Sequence, residues 1–140
     1  MIILDTNVLS ETMRPAPAPG VLRWLASLPP SGVFTTTISE AEILFGLALL
    51  PRGARRDALT LASKAVFAQD FAERVLPFDR AAAEEFADIA AARRQAGRPI
   101  SHADAQIAAI ARSRKAAVAT RNIGDFEHCQ IRVVDPWAAP

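Results

Sequence analysis

The chain has 140 residues, 51% of them hydrophobic, with a net charge of +1 at neutral pH. This length and apolar content exclude a disordered chain and predict one domain over 1–140, with a core that needs no disulfide or zinc staple. The single Cys129 excludes an intramolecular disulfide and a cysteine-based zinc site and fits a reducing cytoplasm. No apolar stretch reaches the ~18 residues of a membrane span, the start lacks the basic region of a signal peptide, and near-neutral charge is no argument for nucleic-acid binding.

In chain order, the apolar run Ile2 to Leu4 predicts a strand and Val8 to Thr12 a short helix. The segment Pro15-Ala16-Pro17-Ala18-Pro19-Gly20 reads as an extended loop leading into a helix over Pro19 to Ser27. A strand over Val33 to Thr37 precedes a helix over Glu40 to Leu49, with Ser39-Glu40-Ala41-Glu42 matching a capping box. A helix over Ala54 to Phe71, a strand over Val75 to Phe78 and a helix over Ala81 to Ala96 follow; Gly97 ends that helix and Pro99 prevents its continuation. Ser101 caps a helix over His102 to Arg114, and strands over Ala117 to Thr120 and Ile131 to Val134 complete the chain before Asp135-Pro136. Short continuous apolar strands alternating with helices predict an α/β fold whose mostly parallel sheet, of about five strands, is covered on both faces.

Four acids sit where these segments meet. Asp5 follows the first strand, Glu42 and Asp104 lie near helix starts, and Asp125 follows the fourth strand and the turn Arg121-Asn122-Ile123-Gly124. Each alone has an ordinary explanation as a cap, a dipole partner or a turn residue. In a parallel sheet, however, strand ends and the first turns of following helices share one edge, where ligands bind. Carboxylates crowded there repel, by about 4 kcal/mol for a pair ~4 Å apart at an effective dielectric of ~20. Raised pKa values or a bound cation relieve this, and oxygen-only ligands point to Mg²⁺ or Mn²⁺. All four carboxylates are expected to line one pocket, the first three within direct or water-mediated reach of one cation.

The opening Ile3-Leu4-Asp5-Thr6-Asn7-Val8-Leu9-Ser10-Glu11 resembles the first motif of PIN-domain nucleases, in particular VapC-type toxins of the FitB-like group. Thr37-Ile38-Ser39-Glu40-Ala41-Glu42-Ile43-Leu44-Phe45-Gly46 resembles the second, Ile100-Ser101-His102-Ala103-Asp104-Ala105-Gln106-Ile107-Ala108-Ala109 the third, and Ala119-Thr120-Arg121-Asn122-Ile123-Gly124-Asp125-Phe126 the fourth. The resemblance implies a three-layer α/β/α PIN fold and a metal-dependent endoribonuclease toxin, with Asp5, Glu42 and Asp104 as core acids and metal ligands. Many relatives carry an acid at the place of Asn122, so here the fourth acidic role passes to Asp125 or is only partly kept. Thr6 and Thr120 become candidates for orienting neighbouring acids, with Asn122 in support and Arg121 as the candidate RNA phosphate contact. The resemblance further implies a homodimer, a small cognate antitoxin and contact with DNA only through that antitoxin. The wide apolar run Ile43-Leu44-Phe45-Gly46-Leu47-Ala48-Leu49-Leu50 suits a partner surface.

Other residues carry less. His102 stands two positions from Asp104 on a helix and is directed away from it, His128 falls in a loop, and Cys129 has no activating motif beside it. Trp24 and Trp137 read as core or interface residues. The arginines at 52, 55 and 56, at 93, 94 and 98, and at 112 and 114 read as solvated surface. A haloacid-dehalogenase-like phosphatase is the first alternative, but its second acid would stand where Asn7 does. A receiver-like signalling domain lacks its adjacent acid pair, and a catalytically weak PIN-type binding module remains the third.

Overall fold

The computed structural model describes residues 1–138; the last two residues of the expected 1–140 span lie outside the described residues. Five strands, β1 (Ile2–Leu4), β2 (Val33–Thr36), β3 (Val75–Leu76), β4 (Ala117–Ala119) and β5 (Val133–Val134), form one sheet in the order β3-β2-β1-β4-β5 with every pairing parallel. Helices α1 (Thr6–Thr12) and α2 (Pro19–Ala26) link β1 to β2, and α3 (Thr37–Ala48) and α4 (Ala54–Ala65) link β2 to β3. Helices α5 (Arg80–Gln95) and α6 (His102–Ser113) link β3 to β4. The chain leaves β1 towards β2 and returns on its other side as β4, so the strand order reverses between β1 and β4. A crevice opens at such a reversal, at the carboxyl ends of the strands.

Alternation along the two central strands divides the core. Ile3 and Val118 point to one face, where buried Ala82 and Ile89 of α5 and Ile107 to Ala111 of α6 cover them. Ile2, Leu4, Ala117 and Ala119 point to the other, against Val8 and Leu9 of α1, Val21 of α2 and Phe67. Successive strand residues point to opposite faces, so near-continuous apolar strands require helices on both sides. The expected α/β sheet is thus the observed one, with helical layers above and below it.

Boundaries moved where side chains compete for backbone groups. The capping box at Ser39 is not used. Thr36, extended at the end of β2 (φ −130°, ψ 159°), caps α3 by accepting from the Ser39 N–H at 3.1 Å, so the helix begins at Thr37 and Glu42 falls in its second turn. A strand-end threonine already has the backbone conformation an N-cap needs; Ser39, one turn on, is buried and turns its hydroxyl to Thr6 instead. Asp5 caps α1, the ordinary role open to it, and the helix begins at Thr6, two residues before the expected Val8. The expected strand ends at Thr37, Phe78 and Thr120 and the start at Ile131 shorten to Thr36, Leu76, Ala119 and Val133; Thr37 is taken into α3, while the Thr120 N–H still bonds the Val134 carbonyl at 2.9 Å. The long helix from Ala54 becomes α-helical only to Ala65 and closes with a π-helical turn over Val66–Asp70 that seats Phe67 in the core. Gly97 adopts φ 72° after α5, the left-handed stop its type permits.

Thr36→Ala is expected to lower the unfolding free energy by about 1–2 kcal/mol, the usual cost of an N-cap plus a small packing loss, read from urea denaturation. A change of only a few tenths would place the working cap of α3 elsewhere.

Candidate active site

Asp5 occupies the end of β1, where its N–H continues the ladder by bonding the Ala119 carbonyl at 2.9 Å. Only 5% of it is exposed. One carboxylate oxygen accepts from the Thr6 N–H at 2.8 Å; the other accepts from the Thr120 hydroxyl at 2.8 Å and the Asn7 amide at 3.3 Å. Thr120 follows β4, is fully buried, and also accepts from the Asn122 N–H and the Asn7 amide. Asn7 in turn accepts from the Arg121 N–H at 3.2 Å. One network therefore stitches the loop after β1 to the loop after β4 and holds Asp5 in a single orientation.

Glu42 reaches the same edge from α3. Its exposed carboxylate accepts from the Thr6 hydroxyl at 2.7 Å, and that hydroxyl lies 2.9 Å from the buried Ser39 Oγ. Asp104 arrives in the first turn of α6, whose N-cap Ser101 accepts from the Asp104 N–H at 3.2 Å. Asp5, Glu42 and Asp104 line one cleft of about 510 Å³, together with Thr6, Asn7, Ser10, Glu11, Arg14, Arg121, Asn122 and Trp137.

Asp125 departs from expectation. It is exposed on the 3₁₀ turn Ile123–Phe126, which buried Phe126 anchors, and it does not line the cleft. Asn122 occupies the cleft wall instead, because the turn carries the chain away from the strand end before Asp125 is reached. Among the described residues, moreover, no three His, Cys, Asp or Glu side chains stand together as a ready metal-holding group. Three acids share the cleft without closing on a common point.

Their charges are nonetheless felt. Burial pushes the Asp5 carboxyl up from 3.8 to about 6, against the hydrogen bonds from Thr120 and Thr6 and with the help of the Asp104 and Glu42 charges. Asp104 is also raised, chiefly by burial, with Ser101 opposing, Asp125 and Glu42 adding to the rise and Arg93 offsetting part of it. Asp125 thus acts on the site through space.

Several residues that hold the site were not singled out in the sequence. Arg93, expected on the surface, is only 5% exposed. It donates to the carbonyls of Arg98 at 2.7 Å, Asp125 at 2.8 Å and Glu127 at 2.9 Å and lies beside the Cys129 sulfur, pinning the loop after Asn122 against α5. Its position was legible: Ala82, Phe86, Ile89 and Arg93 fall on one helical face, and an arginine in an apolar row signals a buried guanidinium with work for its donors. Arg112, also expected on the surface, bridges α6 to Glu85 and Asp88 of α5. Glu11, buried in α1, accepts from the Ala18 N–H at 3.2 Å and turns the proline-rich loop back. The two histidines stay out of the cleft; His102 packs on Phe86, 4.9 Å between ring centroids.

A PIN-domain family model matches residues 2–130. The chain belongs to the PIN-domain family. Its similarity extends over nearly the whole chain: it is 41% identical to the plasmid stability protein StbB of Pseudomonas syringae pv. tomato, covering 99% of this chain and 100% of that one. It is 39% identical to the toxin FitB of Neisseria gonorrhoeae (98% and 99% covered) and 37% identical to the VapC ribonuclease Y4jK of Sinorhizobium fredii (98% of each). Among solved structures, FitAcB from Neisseria gonorrhoeae superposes with a TM-score of 0.92 at 39% identity, over 99% of this chain and 100% of that one. DNA-bound VapBC from Salmonella typhimurium does so at 0.75 and 28%, over 96% and 97%. Membership in the PIN family sets aside the phosphatase and receiver alternatives, and Asn7 of this PIN domain is seen holding Asp5 and Thr120 together.

Because the folded PIN domain holds the Asp5 proton more tightly than the unfolded chain does, that contribution to stability is full below about pH 4 and lost as pH rises through about 6. Asp5→Asn, which cannot ionise, is expected to melt higher than wild type above pH 6, by at most about 3 kcal/mol, with the gain vanishing towards about pH 4. Calorimetry in EDTA measures this; an equal gain at both pH values would mean that the buried charge is not the cause. Arg93→Met removes the donors for three carbonyls, and a loss of about 2–4 kcal/mol is expected, with faster amide exchange over 125–129. Unchanged exchange there would place the loop's anchor elsewhere.

Proposed function

We propose that this protein is a toxin-type endoribonuclease that hydrolyses RNA phosphodiester bonds with Mg²⁺ or Mn²⁺ and is restrained by a small antitoxin. The observation that carries the reading is the meeting of Asp5, Glu42 and Asp104 in one cleft at the strand-order reversal of a PIN domain. The relatives named as a toxin and as a ribonuclease support it, as do the toxin–antitoxin complexes among the similar structures.

The donors in the cleft are carboxylate, hydroxyl and amide oxygens, a set that fits a hard divalent cation. Asp5 and Asp104 would hold it, and Glu42, exposed and tethered only through Thr6, would hold it or position the attacking water. When bound, such an ion supplies the Lewis acidity that lowers the pKa of water and polarises a phosphoryl oxygen. The chain's own contribution is orientation: Thr120 and the Thr6 N–H fix the Asp5 carboxylate, and the Thr6 hydroxyl steers Glu42. Neither histidine nor Cys129 lines the cleft, so water is taken as the nucleophile. Attack by water, rather than by the ribose 2′-hydroxyl, leaves 3′-hydroxyl and 5′-phosphate ends. Phe45 and Leu49 of α3, 65% and 70% exposed, support a protein-partner surface on that helix, for the second copy or the antitoxin.

A catalytically weak binding module is the second reading, favoured by the open spacing of the acids and by Asn122 in the cleft wall. Purified protein incubated with tRNA, rRNA and mRNA separates the two. Cleavage should appear with Mg²⁺ or Mn²⁺, stop with EDTA, and fall at least about a hundredfold in Asp5→Asn, the upper end of what losing even an outer partner of a metal site costs. No cleavage in either metal would leave the binding module standing. Calorimetric titration with Mn²⁺ should show tighter binding in Asn122→Asp and a smaller loss in Asp125→Asn than in Asp5→Asn; equal losses would make Asp125 a direct ligand.

A further inference from the structure

Resting on the reading of the cleft as an RNA-cleaving site, we propose that Arg121 and Trp137 form its nucleotide platform. The guanidinium laid on the indole would stack an unpaired RNA base and hold the adjoining phosphate. Both side chains line the cleft that holds Asp5, Glu42 and Asp104. The Arg121 guanidinium carbon lies 5.0 Å from the centre of the Trp137 ring.

The two cations in the cleft wall differ in their partners. Arg14 is paired with Glu11 at 3.3 Å. The Arg121 side chain has no hydrogen bond or ion pair among the described residues, so the ring is its support where it lines the cleft. The backbone beneath it is fixed, since the Arg121 N–H is bonded to Asn7. Trp137 is fixed as well. Its backbone N–H is bonded to Asp135 Oδ1 at 2.9 Å, and its half-buried ring packs on the core cluster that contains Leu4 and Val8.

A planar cation already resting on an anchored ring has given up part of its rotamer freedom before any ligand arrives, which favours binding. Its outer face suits a base and its edge donors a phosphate oxygen, a combination typical of single-strand recognition. Charge points the same way: three carboxylates repel a polyanion, and the Arg121 guanidinium on the cleft wall, unpaired among the described residues, offsets that repulsion where the backbone must enter. Stacking on a protein surface requires an unstacked base, so the platform selects single strands over duplex.

The test uses the Asp5→Asn protein, in which cleavage is expected to be suppressed, and a mixed-sequence single-stranded RNA of about ten nucleotides followed by fluorescence anisotropy in Mg²⁺. Arg121→Lys keeps the charge on an exposed residue and does not threaten the fold, yet it is expected to weaken binding about tenfold; Trp137→Leu should do the same and Trp137→Phe should restore most of it. Duplex of the same sequence should bind more weakly and respond to none of these changes beyond the loss of charge. With Trp24→Phe added, Trp137 is the one remaining tryptophan, and its emission should be quenched by the single strand. In the cleaving protein Arg121→Lys should raise KM and leave kcat within about twofold.

Wild-type affinity in both Arg121→Lys and Trp137→Leu, equal binding of duplex, or unquenched Trp137 emission would overturn the platform while leaving the nuclease reading intact. Tight, quenching single-strand binding by a protein that cuts no RNA in any metal would overturn the nuclease reading and leave the platform in place.

Discussion

Everything at this site depends on burying one carboxylate between the ends of two neighbouring strands. Asp5 stands where β1 stops, and its neighbour across the ladder is β4, the strand that arrives from the opposite side of the sheet. A buried carboxylate must have its oxygens satisfied. The groups that satisfy Asp5, the Thr120 hydroxyl and the Thr6 and Asn7 N–H groups, come from both sides of the strand-order reversal. The same bonds that make the acid tolerable therefore lock the two loops forming the cleft.

Those bonds only partly balance the charge. They favour the ionised form, but burial and the Asp104 and Glu42 charges outweigh them and push the Asp5 carboxyl up to about 6. A positive charge placed in the cleft would reverse that balance, which gives a physical sense to acids gathered where the fold alone is better off without them. The cationic residues nearby are distributed by depth. Arg93 is sunk behind the site, where it holds the loop backbone and tempers Asp104. Arg121 lines the cleft against an aromatic ring, with no side-chain hydrogen bond or ion pair among the described residues.

Local chemistry and tertiary geometry part company in particular residues. Asp5, Ser101 with Asp104, and the Gly97 stop are legible because each obeys a rule of its own strand end or helix end. Ser39 misleads for the same reason. It has the right residue type and a glutamate three positions on, yet Thr36 reaches the helix start first from the end of β2. Asp125 misleads differently: acid type and proximity to β4 are both present, but the 3₁₀ turn anchored by Phe126 carries it past the cleft and leaves Asn122 there. Arg93 could have been recognised by its place in an apolar row, but the carbonyls it holds lie more than thirty residues on for Asp125 and Glu127, 32 and 34 positions away.

By itself, the sequence determined the alternation of strands and helices, the coverage of the sheet on both faces and the positions of the acids at element ends. Hydrophobic period and capping chemistry act over a few residues and are written locally. The tertiary structure alone decided which acids meet, how deeply each is buried and which arginines line the cleft. Those depend on strand order and on loops brought together across more than a hundred positions, as in the bond of Thr120 to Asp5 at a separation of 115, where no local rule reaches.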